Sequence, residues 1–327
     1  MFKTIIDFEV IEQFLVQDKP NILDDVNFVS LWTSFRKFLK KECILEIVNY
    51  EKSSKSRFIQ EFRTGLGDTE FTIVQKFKEP FKCEIKDINP FTFYCLAEEL
   101  QVKRRKYRLK NGLLFAFLDD YLSVWQDLSI TKKPRIQYIK ENFNGIIFKS
   151  WAKLSDYLLP FTDVVISDNF LLSRTDLVEW NLKAILIKLD KTTQVKYNLT
   201  IISFEGTKYK LDGKKEYDNL ISFKQDNRLK FELSFILSRE REIKEHDRGI
   251  FMNYLWIDSG DSFNYFDSRN NVVTSGTKIS FNSLTSPDNF NSSKAALENL
   301  TAIINNIKQK FPDTNTFGIL KNRLLDI

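Results

Sequence analysis

Apolar residues along the chain fall into two patterns: short continuous runs closed off by charged or turn-forming residues, and longer stretches in which they recur every three or four positions. A buried strand gives the first pattern, and a helix lying on a core gives the second. Residues 28–39 have the helical spacing, and Cys43–Val48 follows as a strand. Residues 112–118 read as a buried strand that ends at Asp119 and Asp120. Pro160 breaks the pattern within 158–162. After it come a strand (Asp163–Ser167), a turn (168–170), a helix capped by Ser173 or Thr175, and a second strand (Tyr197–Phe204). That helix would turn Leu177, Trp180, Leu182, Ile185 and Leu189 to the core. Further strands are predicted at 228–238, 249–253, 256–257, 272–273 and 278–281. A last long helix at 292–310 carries Ala296, Leu297, Leu300, Ile303, Ile304 and Ile307 on one face. Strands alternating with helices predict an α/β fold: an N-terminal α/β domain, 1–157, followed by a second α/β domain, 158–327, with a mixed sheet flanked by helices.

Composition supports two cores. The chain has 327 residues, of which 43% are hydrophobic, enough for two domains of ordinary size. Its 49 Lys and Arg against 44 Asp and Glu leave +5, too mild an excess to name a nucleic-acid partner without local clustering. Cys43, Cys83 and Cys95 lie far apart without metal spacing and fit buried thiols in a reducing compartment. Acidic Asp7 and Glu9 come too early for a signal peptide, and no run approaches the ~18–20 apolar residues of a membrane span. A soluble, cytoplasmic protein is expected.

The one histidine, His246, lies in Lys244-Glu245-His246-Asp247-Arg248-Gly249, with Asn253 and then Gly260 further on. Any chemistry that needs an imidazole has this single candidate. His246, Arg248, Asn253 and Gly260 resemble, in altered form, the H-x-K-x4-D-x6-G-S signature of the phospholipase D superfamily. Arg248 stands for the lysine, Asn253 for the aspartate and Asp261 for the serine. The strand ending in Ser167-Asp168-Asn169-Phe170, followed by a helix and a strand, looks like the opening of a phospholipase D-like half. Trp256, Ser259-Gly260 and Phe263-Asn264-Tyr265-Phe266 are also similar to the phospholipase D-like C-terminal domain of MIT-domain proteins, a branch with an incomplete motif that binds membrane phosphoinositides. Similar degenerate modules occur in bacterial phage-defence proteins.

The resemblance covers roughly residues 160–327. It implies a bacterial defence-associated protein acting on nucleic acid, alongside a partner protein of a defence operon. His246 would be nucleophile or proton-transfer group, Arg248 the phosphate clamp and Asn253 its support. With one motif per chain, catalysis would require a homodimer. A second reading keeps the fold and drops the reaction, leaving a silent scaffold that holds a phosphate-bearing ligand or a partner. A third pairs Arg241 with His246 as the R-x4-H motif of HEPN ribonucleases, which cleave RNA without metal.

Other clusters add candidates. Lys103, Arg104, Arg105, Lys106 and Arg108 surround Tyr107, a composition that could grip a nucleic-acid backbone and stack a base. Lys52, Lys55 and Arg57, with Arg36, Lys37, Lys40 and Lys41, could extend it. Lys278 could add a second cation to the phosphate pocket, or lie exposed on an edge strand. Asp7, Asp119 and Asp120 could assemble a metal site of the PIN-nuclease type, though strand-end acids more often cap turns, and Asp258, Asp261 and Asp267 read as a polar loop. No Walker A, GxGxxG or GxSxG sequence occurs, so nucleotide-phosphate cradles and serine hydrolases of those types are unsupported. No cofactor and no metal is expected.

Overall fold

A computed structural model describes residues 1–16, 26–50, 59–60, 71–75, 87–97, 108, 111–136, 145–207, 210–274, 276 and 278–325. The chain forms two compact units, Met1–Ile130 with Ser283–Asn291, and Thr131–Asn282 with Ser292–Ile327. Both are α/β: one sheet is wholly parallel, the other mixed, and helices flank them.

The first unit is built on β1 (Phe2–Asp7), β2 (Cys43–Val48), β3 (Phe71–Val74), β4 (Thr92–Leu96) and β5 (Leu114–Phe117), in the parallel order β3-β2-β1-β4-β5. Strands β4 and β5 are buried at every position, which is why they read as unbroken apolar runs. Helices α1 (Phe8–Val16), α2 (Val26–Lys41) and α3 (Tyr121–Ser129) contribute an aromatic cluster. Phe14 stacks on Trp32 at 5.1 Å, and Trp125 meets Phe35 and Phe38 at 5.4 and 4.6 Å. The Trp125 indole donates to Ser34 Oγ at 2.8 Å, so the ring is buried without an unpaired N–H. Cys43 and Cys95 are buried free thiols; burial pushes Cys43 up to about 12 and Cys95 well above the usual thiol value. Cys83 lies outside the described residues.

The second unit carries β6 (Asp163–Ser167), β7 (Tyr197–Phe204), β8 (Phe231–Ser238), β9 (Gly249–Met252), β10 (Leu255–Ser259), β11 (Ile279–Ser283) and β12 (Thr316–Gly318), in the order β11-β10-β9-β6-β7-β8-β12. β6, β7 and β8 are parallel, while β9 runs antiparallel to β6 and β12 antiparallel to β8. Its helices are α4 (Thr175–Val178), α5 (Ala184–Thr192), α6 (Gly213–Asp226), α7 (Pro287–Lys310), whose residues to Asn291 belong to the first unit, and α8 (Pro312–Asn315).

Two expectations change here. The sequence places the boundary at the Pro160 break, but residues 131–157 belong to the second unit. Ile136, Phe148, Trp151 and Leu154 lie in its core, and Lys132 and Arg135 bridge to Phe281 and Lys278. The predicted helix face also fails at Trp180. A π turn, Glu179–Lys183, interrupts α4 and α5, and its wider winding leaves Trp180 45% exposed. Asn181 within that turn is fully paired. Its Oδ1 accepts from Trp151 Nε1 and Phe266 N at 2.9 and 3.0 Å, and its Nδ2 donates to Leu177 O and Phe266 O at 2.9 and 2.8 Å.

Candidate functional site

The second sheet reverses direction at β6. From β6 the chain steps through β7 to β8, then returns to place β9 on the other side of β6. In open α/β sheets ligands bind outside the carboxyl ends of the strands at such a point. Here Asp168 and Asn169 follow β6, and β9 begins with Gly249 paired to Ser167. A side chain at Gly249 would collide with the Trp256 indole, since an added Cβ would lie 2.5 Å from its Nε1.

Asp168 organises this end. Its backbone is tied to β7, its N–H donating to Ile202 O at 3.2 Å and its carbonyl accepting from Ser203 Oγ at 2.7 Å. Oδ1 accepts from Phe170 N at 2.9 Å, and Oδ2 from Ser262 Oγ and Phe263 N at 2.6 and 2.9 Å. Arg248 Nε lies 3.8 Å from Oδ1. Burial nevertheless pushes this carboxyl above the usual carboxylate range, outweighing the hydrogen bonds and the arginine charge. Two amides bind the neighbouring loops: Asn169 Nδ2 donates to Ile243 O at 2.7 Å, and Asn264 Nδ2 to Phe170 O at 2.8 Å.

His246 and Arg248 differ in exposure within this frame. Residues two apart share a face only where they lie on one strand. Here Glu245–Asp247 is a 3-10 turn. The His246 side chain is 63% exposed, with Nε2 3.0 Å from Asp247 Oδ1. Arg248 is only 12% exposed, and its guanidinium lies 5.8 Å from the Phe170 ring centre. Arg241 reaches the same ring at 5.2 Å and Phe204 at 5.6 Å. Among the described residues Arg241 forms no ion pair, and Arg248 Nε has no hydrogen-bond partner. Among the described residues, Asp168 is the one carboxylate paired with either guanidinium group.

Asn253 does not support Arg248. It follows the other end of β9, five residues on and about 16 Å away along an extended strand. There its Oδ1 accepts from Thr162 N and Asp163 N at 2.8 and 3.2 Å, and its Nδ2 donates to Thr162 Oγ1 at 3.1 Å. Lys278 is exposed next to the edge strand β11 and bridges to Arg135, three strands from β6. Asp261 is spent within its own loop, accepting from Ser262 N at 2.8 Å, Thr274 Oγ1 at 2.6 Å and Gly276 N at 3.2 Å. Arg241 and His246 sit on a largely irregular segment between two strands, not on the pair of helices that the R-x4-H reading implies.

Of the basic cluster, Lys103, Arg104, Arg105, Lys106 and Tyr107 lie outside the described residues, as do Lys52, Lys55 and Arg57. Arg108 is described and is engaged within the first unit. It donates through Nε to Phe115 O at 2.5 Å and pairs with Asp120 at 2.5 Å. Arg108→Ala is expected to cost the first unit about 1–3 kcal/mol while leaving the salt dependence of nucleic-acid binding unchanged, as read by denaturation and binding titrations. A flattened salt slope would return Arg108 to the interface. The strand-end acids are engaged as well. Asp7 accepts from Asn49 Nδ2 and Glu9 N at 2.7 and 3.0 Å, and Asp120 from Phe117 N at 2.8 Å. Among the described residues no three His, Cys, Asp or Glu side chains gather as a metal site, and no helix is long and apolar enough to cross a membrane.

Sequence reasoning missed Asp168 and Phe170 as site residues, reading them only as a turn. The strand-end string Ser167-Asp168-Asn169-Phe170 was their one local signal. Compared with models of known protein families and with curated proteins, the chain matches none.

Proposed function

We propose that the second unit is a phospholipase D-like module that holds a phosphate group without cleaving its ester. One observation carries this reading: Arg241 and Arg248 converge on Phe170 at the reversal point of the sheet, while His246 is exposed on a 3-10 turn beside Asp247. Arginine suits this role because its planar fork binds phosphate oxygens in pairs and stacks on aromatic rings. Asp168 keeps Arg248 in place electrostatically but is saturated by three other donors, which leaves the guanidinium N–H groups for a ligand.

Inorganic phosphate titrated by NMR tests the site. Wild type and His246→Ala should show the same affinity, and Arg241→Ala a weaker one. Equal affinity in Arg241→Ala and wild type would remove the arginine pair from the site.

A further inference from the structure

We infer that the ligand of this edge is a linear polyanion, the backbone of a single-stranded nucleic acid, tracked by a row of three arginines: Arg248, Arg241 and Arg239. The inference rests on the phosphate-holding reading and names its ligand. Topology sets the row. Residues 239–248 leave β8 and must reach β9 on the far side of β6, so they cross the carboxyl ends of β7 and β6.

Each arginine lies against a phenylalanine contributed by a different stretch of chain. Arg248 is over Phe170 beyond β6, and Arg241 is over both Phe170 and Phe204 at the end of β7. Arg239 lies 3.6 Å from the centre of Phe311, between α7 and α8. Its Nε and one amino group donate to Asn315 Oδ1 and Thr314 Oγ1 at 3.4 and 3.3 Å, and among the described residues it forms no ion pair. Two strand spacings separate β6 from β8, about 10 Å. At the ~3.4 Å rise per nucleotide of a stacked strand, that spans roughly three nucleotides.

The same segment carries carboxylates, but most of them are drawn inward. Asp247 is buried and accepts from Asn299 Nδ2 at 2.5 Å, and Glu242 accepts from Ser238 Oγ at 3.3 Å. Glu205, at the mouth of β7, is engaged by Asn315 and Lys210. Arg239, Arg241 and Lys244 remain exposed, with Glu240 among them. An anionic membrane is the other broad phosphate surface, but membrane-binding faces insert apolar side chains. Among the described residues, none of the exposed large apolar side chains falls in 239–248.

Fluorescence anisotropy with labelled single-stranded 12-mers of DNA and RNA, over a salt series, tests the row. Three contacts predict a slope of log affinity against log salt of about −2, at ~0.7 per phosphate. Arg239→Gln, which keeps reach and polarity but removes the charge, should flatten it by about 0.7. It should leave inorganic phosphate binding unchanged. If Arg239→Gln keeps the full slope while Arg241→Ala weakens binding, the site takes a single phosphate and the row is wrong. Capture by anionic vesicles with no 12-mer binding would likewise overturn it. If the Arg241→Ala and Arg248→Ala variants also bind as wild type, the phosphate-holding reading itself fails.

Discussion

Replacing Asp168 with alanine is expected to destabilise the protein by about 3–5 kcal/mol, the usual cost of stranding one partner of a buried charged pair. The variant leaves Phe170 N, Ser262 Oγ and Phe263 N without their acceptor and Arg248 without its counter-charge. For a domain of this size each kcal/mol moves Tm by about 2–4 °C, so calorimetry should show a fall of roughly 10 °C. A loss below about 1 kcal/mol would mean that the loops around β6 do not depend on this carboxylate.

The pH dependence has a definite sign. Because burial raises this carboxyl, it holds its proton more tightly folded than unfolded. The resulting stability is fully present below the unfolded value near ~3.9 and is lost as pH rises through the folded value. Wild type should therefore gain on Asp168→Ala as the pH falls from about 7 towards about 4. A constant gap across that range contradicts the raised carboxyl.

Removing both arginines is the second large effect. Each hydrogen bond to a charged group contributes about 1.5–3 kcal/mol, so Arg241→Ala with Arg248→Ala should weaken phosphate binding by about 100- to 10,000-fold. Arg241 is exposed and its loss alone leaves Asp168 paired, which separates lost binding from lost stability. Arg248→Lys keeps a positive charge but not the planar fork, and should fall between wild type and Arg248→Ala. Titration calorimetry with a phosphorylated trinucleotide reads all of these. Equal binding by the double variant and wild type would place the phosphate elsewhere.

Much of the fold was legible because burial and local pattern coincide. β6, β7 and β8 are buried at nearly every position and appear as apolar runs, and the face of α7 carrying Ala296, Leu300 and Ile304 shows the helical period. Where local pattern and burial separate, the reading slipped. The π turn at Glu179–Lys183 rotates Trp180 outward, and Val272 makes only an isolated bridge with Phe266 where a strand was expected. α7 starts at Pro287, not 292, since proline is at home in a first helical turn. Arg174, not Ser173 or Thr175, occupies the cap position of α4, without a side-chain cap bond.

The site was legible only in part. His246 and Arg248 lie two positions apart, and the 3-10 turn at Glu245–Asp247 has no marker in the residues themselves. Asp168 acquires its meaning from Ser262 and Phe263, far along the chain, and Phe170 from two arginines on a later crossing segment. Asn253 failed for the same reason: its partners, Thr162 and Asp163, lie at the opposite end of β6.

The most direct measurement follows a 5′-labelled single-stranded oligonucleotide incubated with wild type and His246→Ala in EDTA, scoring bound and cut strand together. The predicted result is equal binding by both proteins and an intact strand in both. Cleavage by wild type that His246→Ala abolishes would contradict it, and would make His246 the catalyst of a working phosphodiesterase.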